Sequence, residues 1–130
     1  MAGELILIIE DNEKNRKLVR DVLQFKGYRT VEAETAEAGL VLARESRPAL
    51  ILMDIQLPGM NGIDALLELR ADATTRDIPV MAVTASAMTQ DRQKILAAGF
   101  DAYQSKPIDV KGFMAHVAEL IAAGPRGGPR

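Results

Sequence analysis

The chain has 130 residues, 48% of them hydrophobic and 26% charged, with 16 basic and 18 acidic side chains and a formal net charge of −2. It contains no Cys, no Trp and one His. One domain is expected at this length, with enough chain for its own core. The lack of Cys excludes a disulfide scaffold, a thiolate metal site and a Cys nucleophile. The near-balanced charge speaks against a dedicated binder of nucleic acid or of an anionic membrane. No apolar run approaches the roughly 18 residues of a membrane span. The opening MAGELILIIED lacks a basic region and turns acidic after a short apolar run, unlike a secretory signal. A soluble, cytoplasmic protein is therefore expected.

Leu5–Ile9 reads LILII, the continuous apolar run of a strand covered on both faces. Asn15, Leu18, Val19, Val22 and Leu23 then recur at helical spacing, and Gly27 stops that helix. Residues 28–31, starting at Tyr28, predict a second strand. Thr35 can cap a helix that turns Ala36, Leu40 and Ala43 inward. Pro48 separates it from residues 49–53, a third buried run. Residues 54–62 form a loop containing Pro58, Gly59, Asn61 and Gly62, and a helix with Ile63, Leu66 and Leu67 on one face follows. Residues 78–83 predict a fourth strand, 88–98 a weakly amphipathic helix ended by Gly99, and Ala102–Ser105 a short fifth strand. Asp109 can cap a last helix, whose Val110, Phe113, Met114, Val117, Leu120 and Ile121 make the cleanest helical stripe in the chain. Residues 4–123 are thus read as one domain. Residues 124–130, a run of Gly, Pro and Arg, are read as a disordered tail.

Five strand–helix units imply an α/β protein, a doubly wound parallel sheet with helices on both faces. Such sheets bind ligands beyond the carboxyl ends of their strands. The residues there are Glu10, Asp11 and Asn12 after the first strand and Asp54 after the third. Thr84, Ala85 and Ser86 follow the fourth, and Lys106 and Pro107 the fifth. If the first and third strands are neighbours, Asp11 and Asp54 share a crevice. Two carboxylates ~4 Å apart repel by about 4 kcal/mol at an effective dielectric near 20. A hard divalent cation would offset that, and Mg²⁺ favours one or two carboxylates, waters and phosphate oxygens.

Taken together, EDN after LILII, ILMDIQLPGMNG around Asp54, VTASAM around Thr84 and YQSKPI around Lys106 resemble a response-regulator receiver domain. The resemblance spans nearly the whole predicted domain, with the motifs in the right order. It is most similar to single-domain regulators of the DivK kind, and also to receivers fused to hybrid histidine kinases. It implies the flavodoxin-like, CheY-like fold: five parallel strands in the order 2-1-3-4-5. It also implies a stand-alone signalling module of a two-component phosphorelay, with only self-phosphorylation and autodephosphorylation chemistry of its own. Asp54 would be the phosphoacceptor, taking a phosphoryl group from a histidine kinase or histidine phosphotransferase. Asp11, Asp54 and the backbone carbonyl of Gln56 would ligate Mg²⁺, with Glu10 acting mainly through a water. Lys106 and Thr84 would hold phosphoryl oxygens. Small Ala85 would leave the pocket mouth open, and the Lys106–Pro107 bond would be cis. Thr84 and Tyr103 would form a switch, and the face of the fourth helix, fifth strand and fifth helix would meet a downstream protein. Neither nucleic acid nor membrane is an expected partner.

Several of these residues have plainer readings on their own. Thr favours strands, Lys beside Pro is commonly a solvated loop residue, and Tyr103 fits a core. Gln104 departs from the apolar residue usual after this aromatic. Gln56 and Ser86 resemble positions that tune water attack on an acyl phosphate, against a reading as neutral surface. His116 reads as a solvated or interface residue, and Met81, Met88 and Met114 as core filler. Two other functions fit the topology. An aspartyl-phosphate hydrolase would carry a second acid two residues after the nucleophile, where this chain has Gln56. A flavodoxin-type carrier would need a neutral phosphate loop, where this chain has Glu10 and Asp11. The chain could equally be one piece of a longer regulator.

Overall fold

The structure, a computed structural model, describes residues 3–85, 89–106 and 108–125. Ser86, Met88, Pro107 with its peptide bond, and residues 126–130 lie outside the described residues, so the expectations placed on them are not addressed. Strands and helices alternate along the chain: β1 Leu5–Ile9, α1 Glu13–Phe25, β2 Arg29–Ala33, α2 Ala36–Ser46, β3 Leu50–Asp54, α3 Gly62–Ala71, β4 Val80–Thr84, α4 Thr89–Ala98, β5 Ala102–Ser105 and α5 Val110–Ala123. The five strands pair in parallel in the order β2-β1-β3-β4-β5.

Strand alternation divides the core in two. Leu7, Ile9, Ile51, Met53, Val80 and Ala82 face α2, α3 and α4 through Leu40, Leu66, Leu69 and Ile95. Ile6, Ile8, Leu50, Leu52 and Met81 face α1 and α5 through Val19, Leu23, Phe113 and Val117. This is why β1 and β3 read as unbroken apolar runs: both faces are covered by helices. Helix starts follow local chemistry. Asn12, Thr35, Asn61 and Asp109 each accept a hydrogen bond from the backbone N–H three residues on, capping α1, α2, α3 and α5.

The structure shifts some expected boundaries and faces. β2 begins at Arg29 and runs to Ala33, because Tyr28 N–H bonds back to Leu23 O at the end of α1. β3 and β4 each extend one residue past their apolar runs, to Asp54 and Thr84. Leu67 does not share the buried face of α3. It is 56% exposed, and Ala65, Leu66 and Leu69 are buried instead. The packed stripe there runs through a small residue that hydropathy underweights. Leu18 and Val110 are likewise exposed at the edges of their helical stripes. Met81 is core, as expected, and Met114 packs against it from α5.

Candidate functional site

The register of the sheet assembles the site. Ile9 pairs with Met53 across β1 and β3, so Glu10 lies beside Asp54. Asp54 pairs with Val83 across β3 and β4, which puts Thr84 next to it. Thr84 pairs with Ser105, and Lys106 N–H donates to Thr84 O at 2.8 Å. Four adjacent strands thus end on one rim, and each contributes a polar side chain there.

The Lys106 ammonium lies between two acids, 2.8 Å from Glu10 Oε1 and 3.0 Å from Asp54 Oδ2. Glu10 and Asp54 are only 5% and 4% exposed, and Thr84 is 1% exposed. Charged groups this buried persist when paired and hydrogen-bonded. Each acid has a second partner from its own loop: Asn12 N–H donates to Glu10 Oε2 at 3.0 Å, and Gln56 N–H donates to Asp54 Oδ1 at 2.9 Å. Burial pushes the Glu10 carboxyl above its ordinary value, and the Asp54 charge adds to that, against the lowering pull of Lys106 and of Asn12 N–H. Burial alone would lower the Lys106 ammonium, but its hydrogen bonds to Glu10 and Asp54 outweigh it and hold the proton more tightly than usual.

Asp11 is the exposed member of the acidic group. Glu10, Asp11 and Asp54 each offer a carboxylate oxygen within 4.8 Å of the others. Three hard oxygen donors at the mouth of a buried cleft fit Mg²⁺ or Mn²⁺ far better than a soft thiolate-seeking metal. The donor chemistry is therefore compatible with the divalent ion expected from the sequence.

The loop after Asp54 is held close. Gly62 N–H donates to Ile55 O at 3.0 Å, and a Cβ on Gly62 would lie 2.8 Å from Asp54 O and 2.9 Å from the Ile55 Cα. Gly59 turns the loop at φ 75°, a conformation that favours glycine. The remaining sequence-flagged residues are spread around this centre. Gln56 and Ala85 are exposed at the rim. Tyr103 is partly buried and packs against the core facing α4. Gln104 is half-buried, as is all of β5. His116 lies on α5, partly buried, with Tyr103, Leu96 and Glu119 beside it around one surface groove.

Sequence reading passed over one group that touches the site. Arg16 on α1 donates through Nη1–H to Glu10 O at 2.9 Å. The available signal was its place one turn after the Asn12 cap, with acids Glu32 and Glu34 at the neighbouring strand end.

Comparison with known proteins agrees with this geometry. The family described as the response regulator receiver domain matches residues 6–118. The chain is 49% identical over 116 residues to the polar-differentiation response regulator DivK of Brucella anthropi, covering 89% of this chain and 94% of that protein. It is 48% identical over the same shares to DivK of Brucella ovis. Among solved structures it is similar to the receiver domain of the sensor histidine kinase PA1611 of Pseudomonas aeruginosa, which has a magnesium ion coordinated in the active site cleft. That similarity has a TM-score of 0.86 at 33% identity, over 93% of this chain and 99% of the other. The fold is also that of Vibrio cholerae CheY4, with a TM-score of 0.85 at 22% identity, over 92% and 99% of the two chains. Family match, curated relatives and strand order agree, and the chain belongs to the response-regulator receiver domain family, as a DivK-like signalling module of the two-component type.

Proposed function

We propose that this receiver accepts a phosphoryl group on Asp54 from a phosphohistidine of a histidine kinase or histidine phosphotransferase. An Asp54 carboxylate oxygen forms the new P–O bond as the P–N bond breaks. The imidazole leaves with the bond's electron pair and is protonated from solvent. The observation that carries this reading is the Lys106 ammonium within 3.0 Å of both Glu10 and Asp54. A cation already seated at the nucleophile can move to a phosphoryl oxygen when Asp54 becomes an acyl phosphate. Thr84, at the end of β4, supplies its hydroxyl to a second oxygen.

Asp11, Asp54 and the Gln56 carbonyl would hold a divalent ion, with Glu10 acting through a water. The ion would screen the phosphoryl charge and orient it for in-line transfer. Burial of Glu10 and Asp54 limits the competition of bulk water for the transferred group. Residues 4–123 constitute the functional unit of this reading, and the cytoplasm its compartment.

The output is a changed face of α4, β5 and α5, with Thr84 and Tyr103 as the moving side chains. Ile95 is the buried apolar side chain of α4 among the described residues, which suits an element held loosely enough to shift. Reversing a 1:99 population to 99:1 takes about 5.5 kcal/mol of differential interaction. A phosphoryl dianion contacting Lys106, Thr84 and a divalent ion is a source of that size. Incubation with Mg²⁺ and acetyl phosphate, followed by intact mass and peptide mapping, should show one phosphoryl group on Asp54. It should be missing in Asp54→Asn and in EDTA. Label at another residue, or label that persists in Asp54→Asn, contradicts the assignment.

A further inference from the structure

Glu10 is held at each of its polar groups. Its N–H donates to Ala33 O at 3.0 Å, and its carboxylate meets Asn12 N–H at 3.0 Å and Lys106 at 2.8 Å. Its carbonyl accepts from Arg16 Nη1–H at 2.9 Å. Arg16 is itself anchored. Its Nε–H donates to Glu32 Oε1 at 3.1 Å, and its Nη2 lies 3.6 Å from Glu34 Oε1. Glu32 is shared with Arg20, whose Nη1 lies 3.0 Å from Oε2. The Arg16 side chain is only 13% exposed, so the planar guanidinium is fixed by this fork and not by solvent.

The carbonyl that Arg16 holds belongs to the peptide joining Glu10 to Asp11. Fixing that peptide plane fixes the direction in which the chain leaves Glu10, and with it the place of Asp11. The Asp11 carboxylate has no hydrogen bond or ion pair among the described residues, so nothing else at its own end orients it. We infer that Arg16, anchored by Glu32, is a positioning residue that presets Asp11 for a divalent cation. This rests on reading Glu10, Asp11 and Asp54 as the divalent site.

The sign of the effect separates positioning from simple charge. Coulomb repulsion between a guanidinium and a divalent cation predicts that removing Arg16 strengthens metal binding. Preorganisation predicts that it weakens binding. The test is Mn²⁺ titration of the full chain by calorimetry, with thermal unfolding of every variant in EDTA alongside. Arg16→Met should weaken Mn²⁺ binding roughly 10-fold, the scale of losing an outer partner of a metal ligand. Arg16→Lys should recover part of that loss, because an ammonium reaches the carbonyl but cannot fork to Glu32. Glu32→Gln should weaken binding by roughly 3-fold, but loss of its charge has the same sign, so Arg16→Lys, which keeps the charge and should still bind more weakly than the parent, serves if Arg16→Met fails to fold. Arg20→Met should stay within about 2-fold, since Arg20 touches Glu32 but not Glu10.

Unchanged or tighter binding in Arg16→Met overturns the inference, and so does a lowered unfolding temperature with unaltered affinity. Asp11→Asn keeps the two readings apart. If it abolishes Mn²⁺ binding while Arg16→Met does not weaken it, only the role of Arg16 falls. If Asp11→Asn binds Mn²⁺ as well as the parent, the divalent site itself is wrong.

Discussion

Replacing Lys106 by Met keeps the aliphatic stem and removes the cation that, among the described residues, contacts both Glu10 and Asp54. At 2.8 and 3.0 Å, each contact has a gross attraction of about 6 kcal/mol at an effective dielectric near 20, most of it offset by desolvation. Removing one partner of a buried pair leaves an uncompensated charge and commonly costs about 3–5 kcal/mol. The lower end applies here, because the Lys106 side chain is 18% exposed and water reaches the cleft beside it. Glu10 also has an escape: it can take up a proton. Forcing an ordinary Glu to be protonated at pH 7 costs about 3.5 kcal/mol, which caps the penalty. The expected loss is therefore about 3 kcal/mol in EDTA, read by urea unfolding. Saturating Mg²⁺ should reduce the gap from the parent to below about 1 kcal/mol, because the variant has lost the ammonium that competes with the metal for the same oxygens. A gap under about 0.5 kcal/mol in EDTA, or one that Mg²⁺ leaves unchanged, refutes the reasoning.

The same pair of proteins makes a pH prediction. The folded state holds the Lys106 proton above the ordinary lysine value of 10.5, so the stabilisation is full below that pH and is lost as pH rises through the higher folded value. Unfolding curves of parent and Lys106→Met should converge in that alkaline window, whereas a constant gap across it would contradict the pairing. Gly62→Ala forces a Cβ against Asp54 O and the Ile55 Cα, backbone atoms that cannot swing aside, and should cost about 1–3 kcal/mol while slowing phosphorylation by acetyl phosphate. Arg70 bonds to Ile78 O at 2.7 Å and Asp101 Oδ2 at 3.0 Å, tying the end of α3 to the starts of β4 and β5. Arg70→Met should therefore lose about 2 kcal/mol by urea unfolding, and a double-mutant cycle with Asp101→Asn should show the two side chains coupled. Phe113, fully buried between α5 and the sheet, should cost about 3–5 kcal/mol on truncation to Ala.

The order of elements was legible because β1, β3 and β4 are built on compact apolar runs and α1, α2, α3 and α5 each start at a capping side chain. LILII before Glu10 and the stripe of α5 from Phe113 to Val117 left little freedom. What periodicity could not give was register. Nothing in the string says that Ile9 pairs with Met53, yet that pairing alone puts Glu10 beside Asp54. The convergence of Glu10, Asp54 and Lys106 came from family resemblance combined with the rule that such sheets bind at their carboxyl ends. Where hydropathy was read alone, it misled. Leu67 is apolar and faces outward because α3 is seated on Ala65, Leu66 and Leu69. Tyr28 was counted into β2, although its N–H closes α1. The long-range ion pairs were the least visible. Arg16 with Glu32 and Arg70 with Asp101 join residues far apart in sequence, and charge spacing along the chain does not by itself pair them.

The central claim is that acids from the ends of β1 and β3 hold one divalent cation beside the Asp54 carboxylate. Anomalous diffraction from a Mn²⁺-soaked crystal addresses it without any phosphodonor. The account predicts a single strong peak in the cleft within bonding distance of Asp11 and Asp54, near Gln56 O, and no such peak in crystals of Asp11→Asn. A peak elsewhere on the molecule with an empty cleft, or a cleft peak that survives the loss of Asp11, would contradict it.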